Sequence, residues 1–198
     1  MSKKVSVIMG VYNCQETLPQ AIDSILAQTY TNWELIMCDD CSTDDTYEVA
    51  NRYAQKYPDK IILIKNEENK RLAYSLNHCL EHVSGEYVAR IDADDECLPE
   101  RFEKQVDFLE KNSEIDCVGT GLLIFDDNGE RNVRLWREYP DRNSLHKGNP
   151  FAHPTIMMKK SVYDALGGYT VSKETMRCED ADLWFRFFAN DYKGYNIQ

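Results

Sequence analysis

The chain has 198 residues, 42% of them hydrophobic, and its 23 basic and 34 acidic side chains leave a formal net charge of −11. That length supports one domain with a true core and is too short for two ordinary ones. The negative balance opposes broad attraction to nucleic acid phosphates or to an anionic bilayer, which argues against nucleic acid as a main partner.

The opening stretch MSKKVSVIMGV has a short apolar run, lacks a small-residue cleavage site and turns polar at Tyr12-Asn13, so it predicts neither a signal peptide nor a membrane span. Seven cysteines, an odd number, lie mostly inside apolar periodic segments and read as small buried hydrophobes in a reducing, cytoplasmic setting. The pair in Cys38-Asp39-Asp40-Cys41 has zinc-knuckle or redox spacing. No second Cys or His pair matches it, and two acids between the thiols would raise their pKa, so neither role is expected.

In chain order, Val5 to Val11 has the length and β-branching of a strand, and Leu18, Ala21, Ile22, Ile25 and Leu26 follow helical spacing. Glu34 to Cys38 reads as the next strand. Tyr47, Ala50, Ala54 and Tyr57 form a weaker helical stripe, with Ser42 or Thr43 as N-cap and Asp44 and Asp45 in its first turn. Ile61 to Ile64 is a third strand, Leu72 to Val83 a third helix and Tyr87 to Ile91 a fourth strand. This alternation predicts an α/β unit with a mainly parallel sheet.

Beyond Pro99, Phe102, Val106 and Leu109 mark a helix, and an apolar stretch from Cys117 to Phe125 ends in the turn Asp126-Asp127-Asn128-Gly129. RNVRLWREYPDRNSLHKGNP reads as an irregular or mobile connection. PFAHPTIMMKK suggests a strand, Ser161 to Leu166 a short helix stopped by Gly167-Gly168, and Leu183, Trp184, Phe187 and Phe188 a last amphipathic helix introduced by Glu179-Asp180. The final GYNIQ reads as a strand.

In a parallel α/β sheet the ligand site lies beyond the carboxyl ends of the strands. The residues there are Tyr12-Asn13, Asp39-Asp40 and the segment RIDADDE, which packs four carboxylates into positions 90–96. Such acids either stay solvated or are held together by something cationic. A hard divalent ion fits, since magnesium and manganese use one or two protein carboxylates with substrate phosphates completing the shell. No GxGxxG follows the first strand and no GxxxxGK[ST] occurs, which excludes dinucleotide and P-loop chemistry. A calcium loop fails because Cys97 stands where its glycine belongs. The Asp-x-Asp of haloacid-dehalogenase-type phosphatases belongs on the first strand, not the fourth.

Five blocks in order, VSVIMGVYN, WELIMCDDCSTDDT, GEYVARIDADDECLPERFEKQV, HPTIMMKKSVYDALGGY and CEDADLWFRF, resemble those of family-2 inverting glycosyltransferases. The resemblance implies a GT-A fold, a Rossmann-like three-layer α/β/α sandwich with a mainly parallel central sheet. It divides residues 1–198 into a nucleotide-binding half, 1–98, and an acceptor-side half, 99–198. It implies transfer of a sugar from a nucleotide-sugar, a UDP-sugar by preference, to a carbohydrate or lipid-linked acceptor in bacterial polysaccharide assembly. Mn2+ or Mg2+ is the implied cofactor. Val11, Tyr12 and Asn13 would form the nucleotide block, with Tyr12 against the uracil ring, and Asp40 would accept a hydrogen bond from the uracil imide. Asp94 would ligate the metal, and Asp92 would lie near the ribose or a metal-bound water. Asp95 is left between that cluster and a loop-stabilising role. Asp180 matches the catalytic base. Glu179 is an acceptor contact or a helix-start acid, and His153 a metal or phosphate neighbour or a structural histidine. Gly10 stands where the family usually has proline, and Arg71 where it usually has glycine. Family members usually continue past GYNIQ, which places acceptor or peripheral membrane contacts, at the inner face of the membrane, in a following segment. The rival reading is a nucleotide-sugar-binding module without turnover.

Overall fold

The computed structural model describes residues 2–126 and 129–198. The expected alternation is present: β1 (Val5–Val11), α1 (Leu18–Leu26), β2 (Trp33–Asp39), α2 (Thr46–Lys56), β3 (Ile61–Lys65), α3 (Leu72–Leu80) and β4 (Tyr87–Arg90). There follow α4 (Arg101–Lys111), β5 (Cys117–Thr120), β6 (Leu122–Asp126), β7 (Gly129–Arg134), β8 (Met157–Lys159), α5 (Lys160–Leu166), α6 (Glu179–Ala189) and β9 (Gly194–Ile197).

Seven strands form one sheet in the order β3-β2-β1-β4-β8-β5-β9. β3, β2, β1 and β4 are mutually parallel, β8 is antiparallel to both β4 and β5, and β9 is parallel to β5. Period-two alternation explains the layering. Val5, Val7, Met9 and Val11 of β1 face one cluster that takes in the apolar stripes of α1, α2 and α4. Ile8 faces another, filled by α3, α5 and α6 with Trp184, Phe187 and Phe151. Each fully buried Leu or Ile of α1 (Leu18, Ile22, Ile25) contributes about 1.5–3 kcal/mol, enough to fix so short a helix on the sheet.

Several expectations change. The apolar stretch 117–125 is two strands in different sheets: it breaks at Gly121, and β6 leaves to pair with β7 alone. Of the expected turn at 126–129, residues 127 and 128 lie outside the described residues. The connection after it is not irregular throughout. It contains β7 and a 3-10 helix, Arg142–Lys147, closed by a reciprocal Asp141–Ser144 capping box. The expected strand at 150–160 is partly a 3-10 turn, His153–Thr155, because Pro154 suits a first helical turn, with only Met157–Lys159 extended. Ser42 and Thr43 do not cap α2, which begins at Thr46 after Asp45; they bond Asn13 instead. All seven cysteines are unbridged, Cys178 being exposed. No helix of the described residues is long and apolar enough to cross a membrane.

At the end of the sheet away from the acidic rim, buried Glu34 accepts hydrogen bonds from Lys4 Nζ (2.6 Å), Ser6 Oγ (2.5 Å), Ser84 N (2.9 Å) and Ser84 Oγ (2.8 Å). Burial alone would raise its pKa, but these donors outweigh it and hold the carboxyl below the usual range. A folded value below the unfolded one, about 4.3, gives stability that is complete above that pH and disappears as pH falls through the folded value. Glu34→Gln is therefore expected to cost about 1.5–3 kcal/mol in urea unfolding at neutral pH. The gap to the parent chain should narrow in acid; an equal gap at both pH values would remove the charge from the explanation.

Candidate active site

The strand order reverses beside β1: β2 and β3 lie on one side of it and β4 on the other, so a crevice opens at the carboxyl ends of β1 and β4. The register Ile8↔Arg90 brings Asp92 level with Gly10, just short of Tyr12. A cavity of 630 Å³ lies there, lined by Gly10, Tyr12, Asn13, Asp44, Asp92 and Asp94 among others. Tyr12 is 47% exposed, an aromatic face with no core role. Asn13 adopts a left-handed backbone (φ 49°), and its Oδ1 accepts from Thr43 N (2.8 Å) while its own N–H donates to Ser42 Oγ (3.1 Å). Cys14 N donates to Thr46 Oγ1 (2.7 Å), so the loop after β1 is pinned to the loop after β2.

Asp40 follows directly on β2. It is buried, lines neither of the two cavities described here, and its carboxylate is already engaged by Asn66 Nδ2, Lys70 N and Arg71 N, each at 2.8 Å. Its N–H donates to the carbonyl of buried Val11 (2.9 Å). Asp40 thus ties the 66–71 loop to the ends of β2 and, through Val11, of β1.

Arg71 carries the consequence of that loop. Its backbone lies at φ 73°, ψ 167°, a region essentially reserved for glycine and costing about 1–3 kcal/mol. Here it aims the N–H at Asp40 Oδ2. Glycine would remove that strain and add about 0.5–1 kcal/mol of unfolded-chain entropy, so the strain term wins. Arg71→Gly is expected to raise the melting temperature of the metal-free protein; a fall would show that the side chain outweighs its backbone strain.

The acidic loop is built around cations of the chain itself. Arg90, only 3% exposed in its side chain, pairs with Asp92 Oδ1 at 2.6 Å. Burial opposes its charge, yet Asp92, the tyrosines at 163 and 169 and Glu179 raise its pKa overall, so it stays cationic. From α4, Arg101 donates to the carbonyls of Arg90 (2.7 Å) and Ile156 (3.2 Å), fixing the strand end from behind. The carboxylate oxygens of Asp92, Asp94 and Asp95 lie within 4.8 Å of one another. Burial raises the pKa of Asp92, with Asp94 adding to the rise against the pull of Arg90. Asp95 is pushed up to about 6 by burial and by the charges of Asp92 and Asp94. Repulsion among three carboxylates is what a divalent cation relieves, so the donor set fits a hard metal. With one Asp92 oxygen committed to Arg90, exposed Asp94 is the residue best placed to ligate directly.

On the other side of Asp92 a cavity of 790 Å³ contains Asp92, Asn149, His153, Glu179 and Asp180. Glu179, Asp180 and Asp182 occupy the first turn of α6, where its dipole favours carboxylates. Asp180 Oδ1 accepts from Ala181 N (2.8 Å), and Oδ2 is held by Asn149 Nδ2. His153 is buried and bonds Tyr169 Oη through Nε2 (3.0 Å), with Tyr163 Oη next in line (3.1 Å). Burial, reinforced by Arg90, holds its pKa well below the ordinary value, so it is neutral at physiological pH. That favours the hydrogen-bonded, structural role for His153.

The structure thus brings Tyr12, Asn13, Asp92 and Asp94 to one cavity and Asp92, His153, Glu179 and Asp180 to its neighbour, while Val11 and Asp40 sit behind the wall. Arg90, Arg101 and Asn149 are neighbours of these residues that the sequence reading overlooked. The signal for Arg90 was an arginine inside the otherwise apolar run YVARI.

The profile described as "Glycosyl transferase family 2" matches residues 6–167. The chain belongs to that family. EpsE of Bacillus subtilis (strain 168), a candidate glycosyltransferase, is 55% identical over 195 residues, which cover 98% of this chain and 70% of EpsE. WfaP of Escherichia coli, a UDP-Glc:alpha-D-GlcNAc-diphosphoundecaprenol beta-1,3-glucosyltransferase, is 28% identical over 97% of this chain and 73% of its own length. Among solved structures, the mannosyltransferase PcManGT of Pyrobaculum calidifontis, in complex with GDP-Man and Mn2+, superposes with a TM-score of 0.76 at 21% identity. It covers all of this chain, which spans 55% of that larger protein. The family-2 assignment and the shared architecture bear out the GT-A fold expected from the motif blocks.

Proposed function

We propose that this family-2 chain binds a nucleotide-sugar, a UDP-sugar by preference, through a divalent metal, and transfers the sugar with inversion to a glycan or lipid-linked acceptor in bacterial polysaccharide synthesis. The observation that carries the reading is Asp92 standing between two cavities, with the carboxylate trio and Tyr12 on one side and Asp180 on the other. Residues 1–98 supply the nucleotide side and residues 99–198 most of the acceptor side.

Tyr12 stacks on the base, a contact that any base accepts, so preference for uracil comes from the surrounding wall. PcManGT holds GDP-Man and Mn2+, and the name of WfaP gives UDP-Glc as its donor. Asp94, supported by Asp95 and Asp92, holds manganese or magnesium. When bound, that ion neutralises charge on the departing diphosphate. Asp180, oriented by Asn149, takes the proton of the acceptor hydroxyl as it attacks the anomeric carbon in a single displacement, which inverts that centre. Arg90, paired with Asp92 Oδ1 at 2.6 Å, holds that carboxylate in place between the two cavities and opposes the rise in its pKa.

Calorimetry with UDP, with and without manganese, tests the reading. Binding that requires the metal, together with thermal stabilisation by a UDP-sugar and less by a GDP-sugar, is the expected result. Equal affinity in the presence of a chelator, or no UDP binding at all, would overturn it.

A further inference from the structure

The two cavities differ in charge more than in size. The nucleotide cavity is lined by Glu16, Asp44, Asp92 and Asp94, and by no lysine or arginine among the described residues. The cavity holding Asp180 is lined by Arg90, Arg134, Arg137, Lys147 and Arg177. Its acids are Asp92, Glu179 and Asp180. Arg90 and Asp92 neutralise each other at 2.6 Å, which leaves four cations against two carboxylates. A local positive excess in a chain of net charge −11 runs against the composition and calls for a reason.

The four cations come from separate places: Arg134 ends β7, Arg137 lies three residues on, Lys147 ends the 3-10 helix and Arg177 immediately precedes the N-cap of α6. Arg134, Arg137 and Lys147 are carried on a tethered wall. Asn196 of β9 donates to the carbonyls of Arg137 (2.8 Å) and Pro150 (3.0 Å), and Gln198 Nε2 donates to that of Trp136 (3.0 Å). Arg134 lies over the Trp136 ring at 4.9 Å, which limits its wandering. Arg177 has a left-handed backbone (φ 66°), strain of the kind that collects at functional sites. The 3.3 Å pair of Arg137 with Asp141 is solvent-exposed and readily exchanged for a ligand anion.

Resting on the reading of this cavity as the acceptor side, we propose that Arg134, Arg137, Lys147 and Arg177 form an anion subsite for an acceptor that carries a phosphate or diphosphate beside the sugar hydroxyl facing Asp180. A neutral sugar offers hydroxyls that carboxylates and amides satisfy, whereas planar guanidinium groups match the paired oxygens of a phosphoryl group. Three arginines and a lysine around one cavity favour the second. The phosphoryl group has two sources, a lipid-linked saccharide or a small soluble ester.

The test uses the protein saturated with UDP and manganese, so that phosphoryl probes cannot occupy the donor cavity. Calorimetric titration with octyl diphosphate, methyl diphosphate, octyl glucoside and octyl glucuronide then separates charge, chain and sugar. Octyl diphosphate should bind at least about tenfold tighter than octyl glucoside, with an affinity that falls as salt rises. The double variant Arg134→Gln/Arg177→Gln should lose that advantage while keeping wild-type affinity for UDP and manganese, which also reports an intact fold. Equal binding of the two diphosphates assigns recognition to the phosphoryl group alone, and tighter binding of the octyl form adds the lipid chain; both support the subsite. Glucuronide matching diphosphate, glucoside matching diphosphate, or a double variant that behaves as wild type would overturn it. Failure to saturate with UDP and manganese in the first place would instead count against the donor reading.

Discussion

Asp180→Asn is expected to lower sugar transfer by about 10²–10⁴-fold while leaving UDP affinity unchanged, since this is the usual contribution of a positioned general base. The substitution keeps the side-chain shape at the first turn of α6 and removes only the proton acceptor. Asp180 lines the 790 Å³ cavity and is absent from the wall of the nucleotide cavity, so binding and turnover should separate cleanly. Calorimetry and a product assay on the same preparation make the comparison. Equal turnover by both proteins would move the base elsewhere, with Glu179 the next residue to replace. If the parent chain itself binds UDP and manganese yet transfers nothing to any acceptor, the binding-module reading takes over.

Asp94→Asn should remove the metal-dependent part of nucleotide binding. Outer-shell partners of metal sites are worth about 10–100-fold in affinity, and loss of a direct carboxylate ligand should exceed that range. The proposed contact of Tyr12 with the base, about 1–3 kcal/mol, should survive and leave a weak, metal-independent remainder. A second reading distinguishes ligand loss from misfolding. The three carboxylates repel one another, as the raised pKa of Asp95 records, so the asparagine variant without metal should melt no lower than the parent chain. A variant that melts lower and still binds UDP through manganese would reassign Asp94 to loop structure.

The α/β order and the rim that carries the candidate site were legible in the sequence because their logic is local. Period-two strands and period-3.6 helices give the α/β order, and the ligand crevice of such a sheet lies at known strand ends, which is where Tyr12 and Asp92 stand. What stayed hidden depends on contacts far apart in the chain. Arg90 looked like a strand residue because its partner geometry with Asp92 exists only once β4 is buried between β1 and β8. Asn149 reaches Asp180 across 31 residues, and no periodicity announces such a pairing. The 131–150 connection read as irregular because part of its order comes from outside itself, through β6, Asn196 and Gln198, and the rest from a single short 3-10 turn with no apolar period to mark it. Asp40 follows β2 as the strand pattern implies, but the three donors that occupy its carboxylate come from the loop at 66–71, whose path no pattern in the chain announced.

The guanidinium of Arg90, sunk beneath the acidic loop, means that the protein brings its own counter-ion. Chelation should leave the catalytic end of the molecule standing and ready, so that an arriving ion meets a receptacle that already has its shape. If the acidic loop holds a divalent ion as proposed, occupancy would answer to ion supply in the surrounding fluid, and losing the ion would idle the enzyme without dismantling it.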